Sequence, residues 1–232
     1  MSMLGFSSTM FAERSPELQN SLDDVIKWSR RFLTDEPMHV KSLEKNGFTV
    51  YKLVEGTVPG EVGVGRVGEI EIGAPAEDIA EAWWNFNRRK EWDNINTEDS
   101  RVIREEDDET RFAYVLGKPK SFIPALDAAF YICKVSPGYF QLPLNAYAYV
   151  QVNDNQHEVP DQQGVVRGDF NSIILISPIM PMRSKVQYLS YKVVDEYARG
   201  QIIDSVGELA ADDIPLTIGE LKKHFDNDQN EK

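Results

Sequence analysis

The amino-acid sequence predicts an α+β chain in which one antiparallel sheet is flanked by an amphipathic helix at each end. Three observations carry that reading. Residues Ser15 to Leu33 repeat apolar side chains at helical spacing, Phe140 to Val152 alternate at period two, and Val206 to Phe225 return to spacings of three and four. Between the helical ends, strand-like runs follow one another at hairpin-sized distances, which favours antiparallel neighbours over crossover connections. The helices are expected on one side of the sheet.

The first helix opens at Ser15, a capping residue, with Pro16 at the first helical position and Glu17 beside the positive helix end. Leu18, Leu22, Val25, Ile26 and Phe32 form its apolar stripe, with Asp23, Asp24, Arg30 and Arg31 mostly opposite, so the stripe should pack on the domain. A polar linker follows. Gly47 to Val54 and Val62 to Ile72 read as strands. Ala74-Pro75 then opens a helical stretch through Asn87, with Ile79, Ala82, Trp83 and Phe86 on one face.

Arg111 to Leu116 and Phe130 to Lys134 are strand-like, and the acidic run Glu105 to Glu109 reads as the turn before the first of them. From Phe140 to Val152 the even positions Phe140, Leu142, Leu144, Ala146, Ala148, Val150 and Val152 are apolar. The odd positions Gln141, Asn145, Tyr147, Tyr149 and Gln151 form a wetter face. Val165 to Ile176 and Lys185 to Val194 give two further strands, with Pro178 and Pro181 between them. The last helix carries Val206, Leu209, Ala210, Ile214, Ile218, Leu221 and Phe225, and Pro215 should kink it. The organisation expected is a flexible N-terminus at 1–14, one domain at 15–225 and a flexible acidic tail at 226–232.

Composition narrows the function classes. The chain has 232 residues, with 25 Lys plus Arg against 38 Asp plus Glu and a formal net charge of -13. So acidic a surface repels phosphate backbones, and nucleic acid is not an expected partner. An anionic membrane is repelled at long range too, but screening within about 8 Å at physiological salt lets a local basic patch dock. One cysteine, Cys133, excludes an internal disulfide, and with three scattered histidines it leaves no zinc pattern. No apolar run approaches the roughly 18 residues that span a bilayer, and the first residues lack a signal-peptide pattern, so a cytoplasmic protein is expected.

Motif by motif, the chemistry of catalysis is missing. Gly63-Val64-Gly65-Arg66-Val67-Gly68 has the glycine spacing of a phosphate cradle, but strand-like residues follow it where a helix N-terminus is needed. Glu105 to Glu109 lacks the glycine and ligand spacing of a calcium loop. His39, His157 and His224 sit among polar neighbours with no nucleophile motif, and Cys133 reads as a buried inert thiol. No catalytic residue, cofactor or metal is expected. Lys118-Pro119-Lys120-Ser121-Phe122-Ile123-Pro124-Ala125-Leu126 is the feature that asks for more. Two lysines precede an apolar tip that either folds back on the core, covers a ligand or dips into a bilayer with the lysines at the headgroups.

Several segments, in order, resemble the START family of lipid transfer domains. Arg88-Arg89-Lys90-Glu91-Trp92-Asp93 is similar to the family's R-x-x-W-D. Pro160 to Gly168 resembles its P-x-x-x-G-x-V-R, and Ile176-Ser177-Pro178 with Tyr188 to Asp195 resembles a late pair of strands. Ile202 to Phe225, with its internal Ile214-Pro215, is similar to the C-terminal helix, and the likeness runs from about Phe48 to Phe225. One departure is the family's R-D-F, replaced by Leu126-Asp127-Ala128 or Ala128-Ala129-Phe130.

The resemblance implies a helix-grip fold, in which a curved antiparallel sheet wraps around a long C-terminal helix and encloses a hydrophobic tunnel. It implies a monomeric, non-enzymatic carrier of one lipid (sterol, phospholipid or ceramide) that touches membranes transiently. Strand parity then nominates Phe112, Tyr114, Leu116, Phe130, Ile132, Ala148, Val150 and Ile174 as lipid-binding, with Val206, Ala210 and Leu221 from the last helix. Ala148 is small and would leave room for a ligand. Lys118, Lys120, Phe122 and Ile123 form the expected gate and membrane contact. Arg167 falls on the outer parity, where it would be solvated, and Trp92 reads as a core anchor. Two rival readings are an enzyme on a hydrophobic small molecule, for which Lys134 and Lys192 are the charged members of the even set, and a lipid-sensing module that binds a protein partner.

Overall fold

A computed structural model describes residues 14–34, 39–45, 48–53, 62–119, 125–153, 158–168, 171–194 and 217–227. Helix α1 spans Pro16–Thr34, and the Ser15 hydroxyl oxygen caps it by accepting from the Leu18 backbone N–H at 3.2 Å. Strands β1 (His39–Lys45), β2 (Phe48–Leu53) and β3 (Val62–Ile72) lead into α2 (Ala76–Trp84), a 3-10 turn (Phe86–Arg88) and the short α3 (Arg89–Trp92). Then come β4 (Thr97–Asp107), β5 (Thr110–Gly117), β6 (Ala125–Val135), a second 3-10 turn (Pro137–Phe140), β7 (Tyr147–Val152), β8 (Val165–Arg167), β9 (Asn171–Met180) and β10 (Arg183–Val194). Helix α4 occupies residues 217–227.

The strands form one sheet in the order β1-β2-β3-β10-β9-β7-β6-β5-β4, antiparallel throughout, with β8 added parallel to the start of β6. The parts of the sequence expectation that fail do so mostly at the edges. The polar linker contains β1, and the acidic run Glu105 to Asp107 belongs to β4, with only Asp108 and Glu109 in the turn. Both are edge strands, which need one partner and tolerate charge; β4 is also broken by three register shifts that discourage pairing with another chain. The alternating run from Phe140 is strand only from Tyr147, and Val165 to Ile176 divides into β8 and β9.

The helices lie on both faces, correcting the one-sided expectation. Leu18, Leu22, Val25, Ile26 and Trp28 of α1 pack with Phe112, Tyr114, Tyr131, Cys133, Ala148, Val150, Ile173 and Leu175. On the opposite face Ile79, Trp83 and Trp84 of α2 and Ile218 and Leu221 of α4 pack with Ile70, Ala113, Phe130, Ile132, Tyr149, Ile174, Val186 and Tyr188. Two dry clusters share the sheet, so its central strands are buried on both sides. Val150 at 0% and Tyr149 at 4% exposure show that β7 has no wet face.

Register explains why parity alone misassigns residues. Directly opposite residues share a face. The β5–β6, β6–β7 and β7–β9 pairs match odd with even positions (Ala113↔Phe130, Ile132↔Gln151, Tyr149↔Ile174), whereas β9–β10 and β10–β3 match even with even (Ile176↔Val186, Val186↔Ile70). The inner face, under α2 and α4, is therefore odd on β5 and β7 and even on β6, β9, β10 and β3.

Candidate functional site

One border of the inner face is built by the segment that carries Arg89, Trp92 and Asp93. The Arg89 guanidinium lies 5.2 Å from the Trp83 ring centre, 5.1 Å from Phe86 and 5.2 Å from Trp92, and its Nε donates to Asp93 Oδ2 at 3.2 Å. Asp93 also accepts from Thr97 Oγ1 at 3.0 Å and Asn96 Nδ2 at 2.7 Å. Trp92 stacks on Trp83 and donates its Nε1–H to the Ala82 carbonyl at 3.2 Å. The Arg89 charge is met by Asp93 and by three ring faces, so these residues fix α2 and α3 to the sheet, and Trp92 is the core anchor expected.

The middle of the inner face is lined by Ala113, Val115, Ala128, Phe130, Ile132, Tyr149 and Ile174. Val115 pairs with Ala128 and Ala113 with Phe130, so the small side chains gather where β5 and β6 lead into the connection between them. The described side chains of that middle carry one polar pair. Gln151 and Ser172, opposite each other on β7 and β9, are both buried, and the Ser172 hydroxyl donates to Gln151 Oε1. Tyr149 turns its hydroxyl to the Ala80 carbonyl at 3.2 Å, and burial holds its pKa far above the usual phenol range.

Cations stand at the rim rather than the centre. Arg111 and Lys134 each lie 4.2 Å from the Trp84 ring centre. Arg111 donates to the Trp84 carbonyl at 3.1 Å and pairs with Glu105, and Lys134 Nζ donates to the Asp108 carbonyl at 3.1 Å. Burial, then the neighbouring Arg111, lowers the Lys134 pKa. Held against Trp84 and the β4–β5 turn, Lys134 does not stand over the apolar centre as an acid or base would need to. A groove of about 440 Å³ between α1 and the end of β6 mixes Arg14, Asp23, Glu109 and Lys134 with Leu22 and Tyr139.

The nominated residues divide. Phe130, Ile132, Ile174 and Leu221 are on the inner face together. Phe112, Tyr114, Ala148 and Val150 belong to the opposite cluster under α1, with Leu116 packed against it, so the nominated set does not share one face as expected. The physical reason is the odd–even register of β5 and β7, which turns their even positions away from those of β6. Val206, Ala210, Lys120, Phe122 and Ile123 lie outside the described residues, as do His157 and the Lys192 side chain. Lys118, the residue after β5, donates its Nζ–H to the Asn94 carbonyl at 2.5 Å. The residues that sequence reasoning missed are Ala113, Val115, Ala128, Tyr149, Gln151 and Ser172. The signal for Gln151 was its place on a short, otherwise apolar strand between two long ones.

Arg167 is also corrected. It is not solvated: its Nε donates to Asp127 Oδ1 at 2.7 Å and its Nη2 to Oδ2 at 3.2 Å, on the α1 side of the sheet. The same Nη2 reaches the Val159 carbonyl at 3.2 Å, and Gly164, at φ 81, makes the left-handed turn that delivers β8. Tyr114 donates to Asp127 Oδ2 at 3.2 Å, and burial with that carboxylate pushes its pKa up to about 12. The P-x-x-x-G-x-V-R segment thus supplies a structural clamp.

Among the described residues no group of three or more His, Cys, Asp or Glu could hold a metal, and no helix is long and apolar enough to cross a membrane. The Gly63 to Gly68 run lies wholly in β3, so its glycines are strand residues and form no phosphate cradle. His224 meets Phe225 edge-on at 5.2 Å, and Cys133 is fully buried, its pKa pushed up to about 11 by desolvation.

No family model and no curated protein matches the sequence. Solved structures do match. Human StAR-related lipid transfer protein 5 superposes with a TM-score of 0.70 at 15% identity, over 94% of this chain and 100% of that one. Human STARD10 follows with 0.66 at 14% identity, over 90% and 82%. The human StarD13 (DLC2) lipid transfer and protein localization domain gives 0.60 at 13% identity, over 92% and 98%. At these identities the likeness is one of architecture, and this chain has the helix-grip fold of the START domains.

Proposed function

We propose that the chain binds one lipid molecule between the inner sheet face and the C-terminal helix and transfers it between membranes without a covalent step. The observation that carries the reading is the patch of Ala113, Val115 and Ala128 on an otherwise large-residue face, beside the connection from β5 to β6. Each lipid CH2 exposed to water costs roughly 0.8 kcal/mol, so a carrier must sheath most of an acyl chain or ring system, and small wall residues give it the width. The matched structures include lipid transfer proteins, which agrees with this use of the fold. Residues 118–124 and helix α4 serve as the gate, with Lys118, Lys120, Phe122 and Ile123 meeting the membrane. In this reading the protein works as a cytoplasmic monomer and needs no cofactor.

Native mass spectrometry of the purified chain, followed by lipid extraction, tests the proposal. A one-to-one lipid adduct, acquired from mixed-lipid vesicles and delivered to acceptor vesicles, is the expected result. A chain that stays empty after such incubation would overturn it.

A further inference from the structure

Gln151 is 3% exposed, and among the described residues the only hydrogen bond to its amide is the one its oxygen accepts from Ser172. Among the described residues its Nε2 has no partner. A buried amide N–H without an acceptor is costly, and native proteins rarely keep one without a purpose. Its neighbours on the face offer no relief. Ile132, opposite on β6, has no polar side-chain atom, and the Tyr149 hydroxyl, two residues along, is turned to Ala80. Ser172 fixes the amide by holding its oxygen, which leaves the N–H as a donor among apolar walls.

We infer that Gln151 Nε2 is the polar anchor of the ligand site and donates a hydrogen bond to an uncharged oxygen acceptor of the bound lipid, a hydroxyl or carbonyl oxygen. This rests on the lipid-binding reading above and adds to it the chemistry of what is read. The arrangement supplies one neutral donor, in contrast to the cationic rim at Arg111 and Lys134, whose charges are engaged by Glu105, Asp108 and Trp84. Such a site discriminates a lipid with an oxygen at one position from the hydrocarbon of the same shape, because only the first satisfies the amide. Ser172 is a positioning residue in this scheme.

The test compares binding to the full chain within two skeletons: cholesterol, cholest-4-en-3-one and cholest-5-ene; then octadecanol, 2-nonadecanone and octadecane. For the skeleton that binds, alcohol and ketone are expected to bind about tenfold tighter than the hydrocarbon, the size of one well-made hydrogen bond. Gln151→Leu should bind all three members alike, with the hydrocarbon held no worse than by the wild type. Ser172→Ala should keep part of the discrimination, since the donor remains and only its orientation is loosened. Undiminished discrimination in Gln151→Leu, or none in the wild type while lipids still bind, overturns the anchor and leaves the carrier reading standing. Preference for the alcohol alone would mean that the amide presents its oxygen, which also overturns the assignment. Failure of every probe and of mixed-lipid vesicles to bind the folded wild type removes the carrier reading and the anchor with it. Should Gln151→Leu fail to fold, Gln151→Met provides the same loss of donor with similar volume.

Discussion

Arg167 and Asp127 face each other across the parallel pairing of β8 with β6, and the guanidinium closes on both carboxylate oxygens. The Asp127 side chain is 1% exposed and that of Arg167 17%, so the pair is largely withdrawn from water. Removing Arg167 alone leaves a buried carboxylate uncompensated. Arg167→Met is expected to cost on the order of 3 kcal/mol in urea unfolding, and Arg167→Met with Asp127→Leu should recover much of that loss. An unaltered midpoint in the single variant would show that the clamp is not structural.

Trp92 is predicted to matter for folding and not for ligand selectivity. Trp92→Ala removes the stack on Trp83, one wall of the Arg89 site and the bond to Ala82. A loss of about 4 kcal/mol is expected from equilibrium unfolding, as for other buried aromatic truncations. A ligand profile altered at full stability would contradict this.

The assignment of faces has its own test. Ala128→Leu fills the patch of small residues on the inner face and should lower lipid uptake about tenfold or more with modest change in stability. Ala148→Leu enlarges a residue of the α1 cluster and should cost about 1–3 kcal/mol by overpacking while leaving lipid preference unchanged. Lipid-loading assays beside thermal melts read the two effects, and the reverse outcome would exchange the faces.

Cys133 gives a pH-dependent signature. Its pKa in the folded chain is pushed up to about 11, above the ordinary thiol range, because burial disfavours the thiolate. The thiol therefore contributes stability that is complete below the unfolded pKa and lost as pH rises toward 11. The native protein should resist dithionitrobenzoate at pH 8 and react at once in urea. Rapid labelling of the native state at pH 8 would place the thiol in contact with solvent.

For the gate, Phe122→Ser with Ile123→Ser should slow transfer from donor vesicles severalfold while leaving the equilibrium amount of bound lipid unchanged. Vesicle-to-vesicle fluorescence transfer, set beside a binding isotherm, separates the two. Equal losses in both would place these residues on the ligand.

The sequence carried the architecture because α1 and the long strands state their periods plainly: Leu18, Leu22, Val25 and Ile26 all face one cluster, and β3 runs over Val62–Ile72 as its alternation indicates. What it could not carry was the phase between strands. Phe112 and Phe130 look equivalent in the sequence, yet the Ala113↔Phe130 register sets them on opposite faces. Gln151 looked wet because polar residues at alternate positions usually are; only the placement of β7 between β6 and β9, with helices over both faces, makes it dry. Edge strands β1 and β4 were illegible for the converse reason: a strand with one partner and one wet side can be as polar as a loop.

The layering has a consequence for exchange, in both senses of the word. Strands β6, β7 and β9 are hydrogen-bonded on both sides and covered by α1 on one face and by α2 on the other. Their amide protons should swap with deuterium only through global opening, far later than those of β1 and β4. A lipid carried as proposed cannot enter or leave by parting these strands. Passage must be local to the pieces that bound the inner face, and loading should leave the slowest-exchanging amides untouched.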